Sequence, residues 1–203
     1  KPDSRYVLIE KDLFMMLFER EYPIPGAFKE VLGARQSAGA LLCIALTTAL
    51  AAVFWSQVPR PEGVPFGLAR WILAWLLMLD IAAGAVANFT PGTNAFYAQR
   101  PAWRWGFIAI HLHLLAIGWL LGLPLTPLLW VWAYTMITAC LVNACYGRAW
   151  QPVLAGSLVC VGILVITRLS LPPWQLSLAL LFMIKVLYAF AVNHYPEREA
   201  PTL

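Results

Sequence analysis

Charge is what this sequence has least of. Acidic and basic residues make up 12% of its 203 positions, where a soluble domain carries roughly 25%. That shortage excludes an ordinary water-soluble enzyme domain, because after Gln36 the chain is almost entirely apolar segments and short connections. Histidine is scarce too, with three in the chain, and a metal centre needs three or four converging ligands. Neither a metal nor a cofactor is expected. The four cysteines, Cys43, Cys140, Cys145 and Cys160, form no C-x-x-C pair, so they read as small apolar residues within helices. The phosphate-binding G-x-x-x-x-G-K-[ST] loop, the H-E-x-x-H zinc motif and paired-aspartate phosphotransferase motifs are all missing, and the run around Ser157 lacks the second glycine of a nucleophile elbow. No internal repeat points to an inverted-repeat transporter. The charged stretch before the first apolar run is unlike a signal peptide, so no removable leader is expected.

What is abundant is apolar surface: 61% of residues are hydrophobic, with ten Trp and seven Tyr, many near the ends of apolar runs, where amphipathic rings favour the headgroup level. A ruler of roughly 20 apolar residues finds six stretches, about 37–57, 67–88, 103–123, 126–146, 152–167 and 173–194, of which the fifth is short. The expected fold is an all-α, polytopic bundle of about six transmembrane helices. It divides into an N-terminal interfacial segment (1–36), the membrane domain (37–194) and a short tail (195–203). In the first segment Leu13–Phe18 is apolar nearly all round and bracketed by charges, and Pro23 and Pro25 interrupt it. It is expected to lie on the membrane surface or pack under the bundle.

Lys and Arg set the orientation. Ten fall on the side of the termini and three (Arg60, Arg70 and Arg168) on the other, so both termini are expected in the cytoplasm, with the protein in a bacterial inner membrane. The net charge of +4 suits anionic headgroups and membrane lipids as partners, not nucleic acid.

Two charges, Asp80 and Lys185, fall deep inside apolar stretches. From a rise of about 1.5 Å per residue, Asp80 lies ~12 Å and Lys185 ~13 Å from the cytoplasmic ends of their spans. An unpaired charge at the bilayer centre costs about 2.5–3.5 kcal/mol on insertion scales. Both are therefore expected to face inward, Asp80 balancing Lys185. Asp80, Gly84 and Asn88 share a helix face, and Gly84 leaves room for a close approach to Asp80. His111 lies in the same leaflet as a hydrogen-bonding or proton-handling group. His113, two residues on, should point well away and serve packing. Asn143 occupies that leaflet on the fourth span. The connection after the second span carries Pro91-Gly92 as a turn, with Asn94, Arg100 and Arg104 at the mouth, where arginines suit a phosphate or carboxylate.

These residues outline a ligand site of Asp80, Asn88, Asn94, Arg100, Arg104, His111, Asn143 and Lys185. Three functions fit it. The first is binding of a polar or anionic small molecule or lipid headgroup, with Lys185 neutralising its charge, in a proton-linked transporter or channel; six spans would then favour a homo-oligomer. The second is a membrane-embedded enzyme acting on a lipid or isoprenoid, with Asp80 or His111 as general base. The third is an accessory subunit whose polar residues only join helices. Composition leaves enzyme and non-enzyme open.

Overall fold

The computed structural model describes residues 15–60, 62 and 66–196. The part of the surface-helix expectation that falls on residues 1–14, and the tail beyond 196, lie outside these. The described chain is mostly helical. After a helical turn at 15–19 it runs through a short antiparallel pair, β1 (Glu21–Pro23) and β2 (Arg35–Ser37), with α1 (Lys29–Leu32) between them. Eight further helices follow: α2 (Ala38–Phe54), α3 (Gly67–Ala87), α4 (Pro91–Ala98), α5 (Pro101–Ala109), α6 (His113–Leu121), α7 (Leu125–Ala144), α8 (Gln151–Ile166) and α9 (Pro173–Met183). The last continues into a wider π-helical stretch, Ile184–Phe190, closed by Ala191 N–H donating to the carbonyl of Val186 at 3.2 Å.

Local chemistry places the helix starts. Ser37 caps α2 by accepting from the N–H of Ala40. Thr90 caps α4, where Pro91 occupies the first turn. Pro101 and Pro173 open α5 and α9, positions where a missing N–H costs nothing. Gly122, at φ 68°, ends α6 in the left-handed conformation that favours glycine.

Among the described residues five helical stretches are long and apolar enough to cross a membrane: Ala38–Gln57, Gly67–Ala87, Pro101–Leu121, Leu125–Ala144 and Pro173–Phe190. The fifth stretch expected from the sequence is α8, whose 16 residues extend ~24 Å, short of a hydrocarbon layer of ~30 Å. The helices pack around a core that includes Trp55, Met78, Ile81, Leu114, Ile117 and Phe182, all fully buried. Their outward faces are apolar as well. On α2, Leu42, Leu46, Leu50, Val53 and Phe54 are all exposed, a belt far larger than water-soluble monomers present and suited to acyl chains.

The segment before the first span is interrupted at the two prolines, where the sequence places a break. Pro23 and Pro25 stop helix propagation there, and the chain instead forms a β1–α1–β2 cap, with Tyr22 opposite Gln36 in register. The cap docks on α4. Buried Gln36 donates from Nε2 to the hydroxyl of Thr90 at 2.5 Å, Thr93 donates to the carbonyl of Val31, and the Tyr97 hydroxyl donates to the carbonyl of Glu30 at 2.8 Å. A Cβ on Gly33 or Gly92 would strike the other's strand or turn, so both glycines are required for this approach. The cap, the α3–α4 turn and the stretch after Phe190 share one end of the bundle, termed the near end below, where Tyr195 donates to the carbonyl of Phe89.

Candidate functional site

Asp80 and Lys185 meet. Lys185 Nζ lies 2.5 Å from Asp80 Oδ2 and also donates to the Asp80 carbonyl at 3.2 Å. In a helix that carbonyl already accepts from the N–H four residues on, which is Gly84. The second donor reaches it because Gly84 has no side chain: a Cβ there would sit 2.9 Å from Lys185 Nζ. The π-helical stretch widens the backbone around Lys185, a geometry rare in helices and frequent at functional sites. Asn88 ties the two helices further by donating to the Lys185 carbonyl.

The third span is broken where it passes this pair. Residues 110–112 leave the helix between α5 and α6, and His111 holds the break. Its Nδ1 donates to the carbonyl of Phe107 at 2.5 Å, and its own carbonyl accepts from Trp132 Nε1 at 2.9 Å. Non-helical backbone at membrane depth persists where such partners satisfy it. The break corrects the expected placement of His113. On a continuous helix its ring would diverge from His111. Here the two ring centroids are 4.9 Å apart, and His113 Nε2 lies 3.4 Å from Asp80 Oδ2. A position expected to serve packing alone joins the charged cluster.

These groups form the polar floor of a cavity of about 430 Å³. Asp80, Gly84, Asn88 and Lys185 line one side, His111 and His113 the base, and Ala102, Trp103, Gly106, Phe107 and Ile110 of the third span the other side, with Glu30, Val31 and Tyr97 toward the near end. Trp103 and Ile110 are exposed at its rim, and a Cβ on Gly106 would meet nothing within 4 Å. The cavity therefore opens sideways between α3 and α5. On its far side the bundle is filled by Ala74, Met78, Leu114, Ile117, Leu178 and Phe182, all buried.

Of the eight residues picked from the sequence, Asp80, Asn88, His111 and Lys185 line this cavity. The other four lie elsewhere. Buried Arg104 donates to Asn143 Oδ1 at 2.9 Å and to the Ala191 carbonyl at 3.0 Å, and stacks over Tyr146 at 3.6 Å. Gln151, unnoticed in the sequence, donates to the same Ala191 carbonyl and accepts from the N–H of Asn193. Together they clamp the end of the π-helical stretch. Asn94 donates to the Val192 carbonyl. Arg100 folds back over Phe96 at 4.0 Å and borders a separate surface pocket with Lys29 and Arg35. Arg104 and His111, seven apart, part company because the helix breaks between them. Among the described residues no group of His, Cys, Asp and Glu is placed to hold a metal.

The two members of the ion pair differ in exposure. The Lys185 side chain is 4% exposed and neutralised by Asp80, whereas Asp80 is 33% exposed and faces the cavity. The carboxylate is the more accessible member of the pair.

Comparison with protein-family models, with curated proteins and with solved structures finds no match to this chain.

Proposed function

We propose that this chain is an integral membrane protein that admits an amphiphile sideways from the leaflet at its near end. The polar head rests on Asp80, His111 and His113, and the tail leaves between α3 and α5 past Gly106 and Ile110. The observation that carries this reading is a charged floor inside a cavity whose mouth is apolar and lies between two helical stretches long enough to cross a membrane: water-soluble substrates need no such mouth, and structural ion pairs need no such space. Transport to the far side is less well supported, because the six buried side chains beyond the pair would have to repack. An enzymatic use of the same cleft has one specific support, the Asp80–His113 contact. A carboxylate that orients a histidine leaves the other ring nitrogen placed to take a proton.

Filling the mouth tests the reading. The parent protein in phosphatidylcholine nanodiscs is titrated with laurylamine, monolaurin, laurate and lauryl phosphate, and thermal unfolding is followed. At saturating concentration at least one probe is expected to raise the melting temperature by about 2 °C or more. Gly106→Leu should abolish that rise. Gly156→Leu, on α8, where a Cβ likewise meets nothing within 4 Å, should preserve it. Equal stabilisation of both variants would refute the cleft as the binding site.

A further inference from the structure

The buried atoms on the cavity floor that lack any hydrogen-bond partner among the described residues are ring nitrogens of the two histidines. Nδ1 of His111 faces a carbonyl oxygen, which only accepts, so Nδ1 carries the ring proton. That leaves Nε2 with its lone pair. His111 is 2% exposed, and this nitrogen is buried without a hydrogen-bond partner among the described residues. His113 shows the complementary pattern: Nε2 is turned to Asp80 Oδ2, and Nδ1 is buried and unpartnered. Asp80 engages Lys185 through Oδ2, and no hydrogen bond to Oδ1 occurs among the described residues. Glu30 adds a second carboxylate toward the near end.

Each donor atom on the same floor, by contrast, already has at least one acceptor. Lys185 Nζ is held by the Asp80 carboxylate and carbonyl, Asn88 Nδ2 by the Lys185 carbonyl, and the Tyr97 hydroxyl by the Glu30 carbonyl. The indole N–H of Trp103 belongs to the exposed rim, not the floor. A buried acceptor without a donor loses the full benefit of the water it gave up, so a native site presents such atoms to a partner that supplies the donors.

We infer that the occupant of the cleft is an amphiphile whose head group donates hydrogen bonds, an amine or hydroxyl head and not a phosphate or carboxylate. This rests on the cleft reading above and reverses the expectation of an anionic ligand. An anionic head would face Asp80 and Glu30 with like charge and leave both histidine lone pairs unmatched. A donor head supplies the hydrogens that His111 Nε2, His113 Nδ1 and Asp80 Oδ1 can accept.

Affinities of the four lauryl probes for the parent in phosphatidylcholine nanodiscs decide it, each corrected by its residual affinity for Gly106→Leu. Laurylamine, monolaurin or both should bind about tenfold or more tightly than laurate and lauryl phosphate, the scale of one or two matched hydrogen bonds. Preference for the amine alone supports a cationic donor head, and equal preference for monolaurin a neutral one. The exposed Glu30→Gln change should weaken the amine alone, and His111→Phe, which keeps a ring against Phe107, should narrow the preference for both donor heads. Laurate or lauryl phosphate binding as tightly in a Gly106-sensitive manner overturns the donor-head inference while leaving the cleft intact. Absence of Gly106-sensitive binding by any probe overturns both.

Discussion

Asp80 and Lys185 are an unequal pair. Lys185 is sealed in the bundle, whereas Asp80 reaches the cavity and keeps His113 nearby. Removing one partner of a buried pair is costly chiefly through the charge left behind. Asp80→Asn strands a buried ammonium and should cost about 3–5 kcal/mol of stability. Lys185→Met leaves a carboxylate with partial access to solvent and should cost about half as much or less. The double variant should return to within ~1 kcal/mol of the parent, since matched apolar or neutral replacements are often tolerated. Equilibrium unfolding of the four proteins checks this, and equal losses for the two single changes would contradict the asymmetry. At this scale the sequence was informative where depth alone mattered: two charges at one height in an apolar bundle have few alternatives to meeting. It was silent on His113, because the side a residue faces depends on the helix before it being continuous, and Ile110–Leu112 contains neither proline nor glycine to announce a break.

Among the elements, the two irregular stretches carry the site. The break after α5 turns both histidines toward Asp80, and the π-helical run presents Lys185, its far end clamped by Arg104, Asn143 and Gln151. Both interruptions are held by side chains distant in sequence, Trp132 for one and Gln151 for the other, so no local pattern foretells them. The cap is the other element with a distinct behaviour. Tyr97 is nearly fully buried, and its hydroxyl holds the Glu30 carbonyl. Burial, followed by the Glu30 carboxylate, raises its pKa from 10.0 to about 12, against a smaller opposing pull from Arg100. The neutral phenol is thus favoured when the cap is docked, and the contact contributes fully below pH 10. Its contribution is lost as pH rises from 10 toward about 12, because the released phenol ionises first. Limited proteolysis of residues 20–37 should show protection falling across that window. Tyr97→Phe should lack this pH step and be somewhat less protected at neutral pH.

For the whole molecule the sidedness of charge is the testable property. With the termini on the side that holds ten of the thirteen Lys and Arg other than Lys185, a C-terminal green fluorescent protein fusion should fluoresce and a C-terminal alkaline phosphatase fusion should be inactive. A phosphatase inserted in the 58–66 connection should be active, and the reverse pattern would invert the topology. This orientation would set the mouth of the cleft in the cytoplasmic leaflet, where amphiphiles made inside the cell first arrive.

The apolar belt, the helical character of the apolar runs and the level shared by Asp80 and Lys185 were determined by the sequence itself, because hydrophobic length and helical rise are local quantities that any packing must respect. Which polar residues beyond that pair face one another was decided only by the tertiary structure. Arg104 and Asn143 look like ligands in the sequence and instead brace the C-terminal helix, while His113 looks like packing and instead meets the carboxylate. Those outcomes follow from a backbone break and a widened turn whose freed carbonyls are satisfied across the bundle, and such partners exist only once the helices have come together.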